Sequence, residues 1–341
     1  MKFSDVLDIR NGRNQRQVEN ATGKYPIYGS GGVMGRATDF ICDAGTVVIG
    51  RKGSINNPIF VDEPFWNVDT AFGLVAHRDV LLPKYLFYFC VNFDFEQLNT
   101  TVTIPSLTKA NLLQIEINVP DMDEQRHIVS VLDKICRLTD LQQQELHNLD
   151  QLVKSRFIEL FGEPQRNPHG YKHIKLSDIA TYYNGLTYKP ENVAAEGTIV
   201  LRSSNIQNSQ LDFADTVRVD CAIKERLMVQ NNDILMCSRN GSAKLVGKVA
   251  LIKDIQEPMS FGAFMMIIRS HYFGYLMTYF QMDDFRQQIK TGATTTINQI
   301  TGRMLDDVTI PLPPMALVDQ FAAFVEQTDK SKLCGKMEVA A

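Results

Sequence analysis

The stretch DMDEQRHIVSVLDKICRLTDLQQQELHNLDQLVKSRFIELF, residues 121–161, decides the fold of this chain. It contains no Gly and no Pro, whereas Pro120 precedes it and Gly162 and Pro164 follow it. Because Gly and Pro end helices, this composition predicts one long helix over residues 121–161. At 1.5 Å per residue the helix would reach roughly 60 Å, longer than a small domain is wide. We therefore expect a strut between two globular bodies.

The apolar pattern of this helix predicts a helical partner. Asp121 and Glu124 have the spacing of a capping pair at its start. A seam then steps by alternating threes and fours, as a narrow pairing surface does. Its members are Ile128, Leu132, Ile135, Thr139, Gln142, Leu146, Leu149 and Val153.

Length and composition favour a globular protein of two domains. The chain has 341 residues, of which 44% are hydrophobic and 22% charged. Its six cysteines show no paired short spacing of a zinc or redox motif, so we expect free thiols in a reducing compartment. The N-terminal segment has no signal-peptide core, and no apolar run has the length of a membrane span. A cytoplasmic protein without membrane association is expected.

An internal repeat divides the chain. KLSDI at residues 175–179 with Asn184-Gly185 repeats KFSDV at residues 2–6 with Asn11-Gly12, at a constant offset. Further matches follow in the same order: residues 233–242 with 46–54, 260–264 with 69–72, 275–276 with 85–86, 296–301 with 103–108, and 311–321 with 119–126. The last match predicts a second helix that begins near Ala316. The repeated unit is a globular body followed by a helix.

These patterns predict an α+β protein in four parts. Residues 1–120 form a first mixed α/β body, residues 121–163 the long helix, residues 164–314 a second body, and residues 315–341 a short C-terminal helix. Within the first body, apolar runs predict strands at residues 46–49, 59–61 and 72–76, and a buried helix that starts near Pro83. The basic, Gly-rich residues 13–36 are predicted to be loop.

No residues in the chain have the pattern of a catalytic site. GSAKLVGKV at residues 241–249 mimics a P-loop, but it has one residue too many between its glycines and lacks Ser or Thr after Lys248. The sequence also offers no set of nucleophile, general base and orienting group that would form a catalytic site. We expect no catalytic residue, no metal site and no cofactor.

Two loops carry the chemistry of nucleic-acid recognition instead. Arg51-Lys52-Gly53-Ser54 and Arg239-Asn240-Gly241-Ser242 fall at corresponding places in the repeat. Arg and Lys neutralise phosphate or bind guanine, Asn reads adenine, and Gly allows close approach. Either loop alone is more typical of a solvated turn. Because the pattern recurs in both bodies, we interpret the pair as two readers whose difference, Lys52 against Asn240, reflects different targets.

The chain resembles the specificity subunit of type I restriction-modification systems along nearly all of its length. The strings that carry the resemblance are YPIYGSGG (25–32), IGRKGS (49–54), FWNVDT (65–70), LNT (98–100), the helix entry at 120–128, LRSSNI (201–206), SRNGS (238–242) and GATTTINQIT (292–301).

The resemblance implies two target-recognition domains, each reading one half of a bipartite double-stranded DNA site. Long helices would form an antiparallel coiled-coil spacer between them and dock methylation subunits. Methylation with S-adenosylmethionine, and cleavage by a restriction and motor subunit with ATP and magnesium, would belong to those partners. Matching positions expected to bind DNA are Lys24, Tyr28, Ser30, Arg51, Lys52, Ser54, Arg202, Ser203, Asn205, Arg239, Asn240, Ser242 and Thr295.

Three alternatives stay open at this point. Because the second helix is little more than half as long as the first, the chain could be a truncated or half-type specificity protein that another chain completes. It could also be a methyltransferase with degenerate motifs, or a scaffold that binds only protein. Methyl transfer by the purified chain distinguishes the second, and salt-sensitive DNA binding distinguishes the third.

Overall fold

A computed structural model describes residues 1–99, 105–289 and 299–340, the last eight of these by their backbone only. The chain forms two compact units, Met1–Leu141 and Gln142–Ala341. The predicted long helix spans Met122–Phe161, so the division between the units falls within it. This helix confirms the expectation from residues 121–161.

Side-chain hydrogen bonds and a glycine define the ends of the long helix. The Asp121 carboxylate accepts the amides of Asp123 (3.0 Å) and Glu124 (2.9 Å), which caps the first turn. Gln125 is fully buried and bonds through its amide to the backbone of Leu82 and Val80. At the other end Gly162 has φ +75°, the left-handed conformation of a helix-ending glycine.

The predicted seam is the less exposed stripe of this helix, with one exception. Ile135 is 52% exposed, whereas the other seam positions are partly buried. Apolar residues outside the seam are also exposed, at Val131, Leu138, Leu141 and Leu152. These side chains leave part of the apolar surface of the helix open to water.

The described residues of the first unit form two sheets. Its strands are β1 (Leu7–Asn11), β2 (Tyr25–Gly29), β3 (Gly32–Ala37), β4 (Thr46–Gly50), β5 (Ile59–Val61), β6 (Trp66–Asn67) and β7 (Ala71–Ala76). Its helices are α1 (Phe3–Val6), α2 (Pro83–Asn92), α3 (Lys109–Leu112) and the first part of the long helix, which we label α4. A 3-10 turn spans Phe95–Leu98. One sheet has the antiparallel order β1-β7-β4-β5, and the other has the order β3-β2-β6 with β2 and β6 parallel.

In the second unit, four sheets are formed by the residues that the structure describes. Its strands are β8 (His173–Lys175), β9 (Thr181–Asn184), β10 (Val193–Ala194), β11 (Thr198–Leu201), β12 (Ile206–Gln207), β13 (Gln210–Leu211), β14 (Arg218–Val219), β15 (Ile234–Cys237), β16 (Val249–Leu251), β17 (Met259–Phe261), β18 (Met265–Arg269) and β19 (Thr309–Pro311). Its helices are α5 (Phe273–Tyr279), α6 (Asp283–Gln288), α7 (Gly302–Asp306) and α8 (Met315–Ala340). Short 3-10 turns lie at Leu176–Asp178, Pro190–Asn192, Ser203–Asn205 and Glu225–Leu227. The sheet orders are β16-β15-β18-β9, β10-β14-β11-β17, β12-β13 and β19-β8.

The sheets carry the internal repeat that the sequence predicts. The order β9-β18-β15-β16 in the second unit matches β1-β7-β4-β5 in the first, and the parallel pair β11 and β17 matches β2 and β6. Asn11 pairs with Phe72 and Asn184 pairs with Met266, so the two copies can be aligned residue by residue.

Gly12 and Gly185 occupy equivalent crowded positions after β1 and β9. Their amides donate to the carbonyls of Ala71 and Met265, at 3.2 Å in both cases. A Cβ on Gly12 would lie 1.7 Å from the Val68 oxygen, and a Cβ on Gly185 would lie 2.0 Å from the Gly262 oxygen. Both positions therefore require glycine because backbone atoms occupy the space of a side chain.

Helix α8 packs antiparallel to the C-terminal half of α4 within the second unit. Phe321 contacts the rings of Phe157 and Phe161, and further along Lys332 lies 2.7 Å from the Asp150 carboxylate. Residue numbers therefore rise along α8 as they fall along α4. The helix begins at Met315, one residue before the predicted position, and the antiparallel pairing of the predicted fold is present.

The prediction that residues 13–36 form only a loop was wrong. Residues 25–37 within the predicted loop form the hairpin of β2 and β3, because the residues between the glycines, such as Tyr28 and Val33, pair across the two strands. No helix in the described part of the chain could cross a bilayer. Among the same residues, no cluster of His, Cys, Asp or Glu could hold a metal ion.

Replacing either crowded glycine should destabilise its unit. Gly12→Ala and Gly185→Ala should each lower the free energy of unfolding by about 2 to 3 kcal/mol, because the new methyl group forces backbone to move. Gly31→Ala and Gly241→Ala are matched controls, since nothing lies within 4 Å of an added Cβ there. Thermal unfolding of the four variants measures this. Equal melting temperatures for all four would contradict the repeated constraint.

Candidate nucleic-acid interface

Residues 51–54, the first basic loop, leave β4 through a backbone bulge. The amides of Arg51 and Lys52 both donate to the Thr70 carbonyl, at 2.8 and 3.3 Å. Two residues thus oppose one, the pattern of a bulge that re-aims side chains. On its other edge the loop is held by a bond from the Leu107 amide to the Arg51 carbonyl (2.9 Å). All four loop residues are exposed, and Gly53 has φ +83°.

Residues 239–242, the second basic loop, leave β15 through the same bulge. Here the amides of Ser238 and Arg239 donate to the Phe264 carbonyl, at 2.9 and 3.1 Å. The Ile300 amide bonds to the Ser238 carbonyl at 2.7 Å. Arg239 is exposed, whereas Ser238 is buried and bonds through its hydroxyl to the Phe264 carbonyl (3.0 Å).

The two bulges correct the alignment of the loops by one residue. Lys52 bridges to Ser106 and Arg239 bridges to Gln299, so Lys52 and Arg239 occupy the same backbone position. The counterpart of Arg51 is therefore Ser238, not Arg239 as the shared Arg-Xaa-Gly-Ser letters suggest. Strand pairing gives the same result, because Ile49 pairs with Phe72 and Met236 with Met266. Each loop presents an exposed cation at this common position.

Aromatic rings lie under the two arginines. The Arg51 guanidinium lies 5.7 Å from the centroid of Phe72, and the Arg239 guanidinium lies 5.4 Å from the centroid of Phe264. Such stacking restricts a guanidinium without consuming its hydrogen-bond donors. Phe264 is itself 58% exposed beside Arg239. Sequence reasoning missed this residue because no pattern in the turn between β17 and β18 signals its exposure.

The other predicted residues of the first unit lie at different distances from the first basic loop. Ser30 is adjacent, since a Cβ added at Gly50 would lie 3.0 Å from its Cβ. Tyr28 packs edge-on against Phe65, and burial raises the pKa of its hydroxyl, which keeps it protonated. Lys24 precedes β2, so strand geometry separates it from Ser30 by roughly 20 Å.

In the second unit the fold joins two predicted segments. The Asn240 amide donates to the Ser203 hydroxyl at 3.3 Å, although the two residues lie 37 positions apart. The Asn240 side chain also accepts the Ser242 amide at 2.9 Å, which closes the turn of the second basic loop. Ser203, Arg239, Asn240 and Ser242 thus form one polar patch with hydroxyl, amide and guanidinium groups.

Arg202 and Asn205 have partners within the protein. Arg202 forms an ion pair with Asp215, with 2.7 Å between nitrogen and oxygen. Asn205 is fully buried, and its amide donates to the carbonyls of Asp212 (2.8 Å) and Asp215 (2.9 Å) while its oxygen accepts the Arg202 amide (2.8 Å). Asn205 therefore positions the segment from the inside. Thr295 lies outside the described residues.

The thiol beneath the second basic loop adds no negative charge. Burial raises the pKa of Cys237, so its thiol is neutral at neutral pH. Its sulfur lies 3.6 Å from the Arg239 carbonyl. The exposed groups of the loop are cationic or neutral, which suits an anionic, hydrogen-bonding ligand.

Comparison with known proteins identifies the family. The family described as "Type I restriction modification DNA specificity domain" matches residues 1–151 and again residues 168–333. The two matches cover most of the chain and coincide with its repeat. The chain therefore belongs to this family, and the resemblance seen in the sequence is confirmed.

Individual relatives give the same family. The chain is 29% identical over 178 residues to the type I restriction enzyme EcoKI specificity subunit of Escherichia coli K12, and equally to the StySPI specificity subunit of Salmonella potsdam. These alignments cover 48% of this chain and 38% of each relative. The chain thus matches less than half of the length of these two proteins.

Solved structures share the fold at low sequence identity. The S subunit of a type I restriction-modification system from M. genitalium superposes with a TM-score of 0.63 at 16% identity, over 100% of this chain and 91% of that one. A chain from a structure of type I system assembly and conformational transition gives 0.55, also at 16% identity, over 100% and 92%.

Truncating Asn205 should destabilise the second unit. Asn205→Ala should lower its free energy of unfolding by about 2 kcal/mol, because the Arg202 amide and the carbonyls of Asp212 and Asp215 lose buried partners. Ser204→Ala is the control, since Ser204 is exposed. Thermal unfolding compares the two variants. An Asn205→Ala protein as stable as the Ser204→Ala protein would contradict the positioning role.

Proposed function

We propose that this chain is the DNA-reading subunit of a type I restriction-modification complex, in which each repeated domain reads one half of a bipartite duplex site. The observation that carries the proposal is the shared bulge, which presents an exposed cation at one backbone position in both units, Lys52 and Arg239. Family membership supports DNA as the ligand.

The chemistry of the two loops supports readout of different half-sites. Lysine is a flexible point charge, whereas arginine is a planar fork that can bind guanine through two hydrogen bonds. The second loop adds the Asn240 amide and the Ser203 hydroxyl near Arg239, and the first loop has Ser30 beside its backbone. Residues 1–120 and 164–314 would be the two target-recognition domains, and Thr295 and Lys24 remain proposed contacts.

The helices provide the second part of the proposal. Residues 121–163 and 315–341 would set the unread spacer between the half-sites and dock methylation subunits. Exposed apolar residues along α4, among them Val131, Ile135 and Leu138, support a protein partner on this surface. A restriction and motor subunit would join the same complex, in the cytoplasm. Methyl transfer and cleavage would belong to these partners, with this chain acting without catalysis of its own.

Mapping of methylated bases tests the proposal. In cells that carry this chain with its methylation partner, chain-dependent methylation should fall on a motif of two short defined segments separated by unread positions of fixed number. The reason is that two reading domains fixed to one helix contact DNA at a constant spacing. Single-molecule sequencing of genomic DNA, with and without the gene for this chain, measures the motif.

A continuous motif, or methylation that is independent of the chain, would contradict the proposal. The purified chain alone provides the control for an enzymatic function. Incubated with duplex DNA and S-adenosylmethionine, it should transfer no methyl group, whereas the complex with the methylation partner should. Transfer by the chain alone would identify it as a methyltransferase.

A further inference from the structure

The second unit contains a polar cleft whose lining includes Gly247 and Lys248, a few residues after the second basic loop in the chain. It has a volume of about 310 Å³ and lies between the turn that joins β12 to β13, the segment before β16, and helices α5 and α6. Its polar lining comes from Gln207, Asn208, Ser209, Lys248, Gln281 and Arg286, and none of the described residues that line it is acidic.

Two cations face this cleft with unused hydrogen-bond donors. The Lys248 ammonium donates to the Ile206 carbonyl at 2.8 Å, and the Arg286 guanidinium donates to the Val246 carbonyl at 2.6 Å. Among the described residues, neither side chain forms an ion pair with a carboxylate. Both are only partly exposed. Positive charges that are partly desolvated and unpaired favour an anionic ligand, because screening by water is reduced there.

Three residues that line the cleft, Gly247, Asn208 and Ser209, have positive φ values. Gly247 has φ +80°, and an added Cβ would lie 3.0 Å from the Arg286 guanidinium. Asn208 and Ser209 both have positive φ values, 49° and 61°, in the turn between β12 and β13. The Ser209 hydroxyl donates to the Gln281 side chain at 3.1 Å, which holds two polar groups at the opening.

The cleft is attached directly to both segments of the polar patch. Its residue Ile206 follows Asn205 in the chain. On the other side, Cys237, which precedes the second basic loop, donates its amide to the Lys248 carbonyl at 2.9 Å and accepts the Gly247 amide at 2.8 Å. Residues 241–249, which mimic a P-loop in sequence, thus contribute Gly247 and Lys248 to the lining of this cleft.

We propose that this cleft binds a backbone phosphate of DNA next to the half-site that the second unit reads. The inference rests on the proposed function and adds a non-specific contact to it. Lys248 and Arg286 would neutralise the phosphate. The side-chain amides of Gln207 and Gln281 already donate to the Ser204 and Met277 carbonyls, and each has one further N–H to offer. Phosphate contacts of this kind fix the register of a protein on the duplex and carry no base information. The same chemistry would suit free phosphate, so the test separates the two sources.

The salt dependence of DNA binding tests the cleft. The complex of this chain with its methylation partner is compared with complexes containing Lys248→Gln or Arg286→Gln, on duplexes with and without the recognition motif, over a series of KCl concentrations. Each variant should bind more weakly, by up to about eightfold at 0.1 M salt, and its plot of log affinity against log salt should be shallower by up to about 0.9, because the contact to one phosphate loses one of its two cations. Both duplexes should be affected by the same factor.

Control variants separate the cleft from general charge and from folding. Lys244→Gln removes an exposed cation of the same stretch that does not line the cleft, and it should leave the slope unchanged. Lys248→Arg keeps the charge and should retain the slope of the natural protein. Thermal unfolding of every complex establishes that the loss of the bonds to Ile206 and Val246 has not unfolded the unit.

Three results would overturn the inference. The first is a slope unchanged in both cleft variants, and the second is an equal loss of slope in the Lys244→Gln complex. The third is saturable binding of inorganic phosphate that Lys248→Gln abolishes without any change in DNA binding, which would make the cleft a site for free phosphate. If the natural complex bound no duplex at all, the proposed function itself would fail, which is distinguishable from all three.

Discussion

One carbonyl oxygen in each unit accepts two successive amide hydrogens, and the geometry of the polar surface depends on that pair of bonds. Thr70 accepts the amides of Arg51 and Lys52, and Phe264 accepts those of Ser238 and Arg239. A loop attached only at its ends would sample many conformations at an entropic cost on binding. Here the bulge and the neighbouring backbone fix residues 51–52 and 238–239 before any ligand is present. The backbone position of the exposed cation, Lys52 in one unit and Arg239 in the other, is therefore fixed within each unit.

Two kinds of buried contact hold the backbone near the two basic loops. Gly12 and Gly185 allow the strands after the repeated N-terminal segments to approach the carbonyls of Val68 and Gly262. Asn205 satisfies the backbone of its segment from inside the second unit. Rigidity in the scaffold permits variation on the surface, since the exposed side chains of the loops can change without affecting these buried contacts.

The sequence predicted the largest features because they depend on local chemistry. The absence of Gly and Pro between Pro120 and Gly162 was sufficient for the long helix, and the periodic seam marked its less exposed stripe. The repeat was visible in the sequence because both copies keep residues such as Gly12 and Gly185, where backbone atoms leave no room for a side chain. The hairpin of β2 and β3 was missed because its glycines are typical of loops, although Tyr28 and Val33 between them pair across the two strands.

The details of the candidate site could not be read in the same way. The shared Arg-Xaa-Gly-Ser sequence aligns Arg51 with Arg239, whereas the hydrogen bonds of the bulge align Lys52 with Arg239. The reason is that the register is set by pairing across the sheet and not by the sequence of the loop. Burial of Asn205 and exposure of Phe264 depend on neighbours that are distant in sequence. Lys248 and Arg286 converge on one cleft from segments that no spacing rule connects.

The most direct test of the central claim is a map of methylated sites in cells that carry Lys52→Ala, Arg51→Ala or Arg239→Ala in place of the natural chain. If the bulge presents the reading cation, Lys52→Ala should relax one half of the bipartite motif and Arg239→Ala the other, while Arg51→Ala should preserve the identity of both halves. Relaxation by Arg51→Ala with an intact motif in Lys52→Ala would contradict this account.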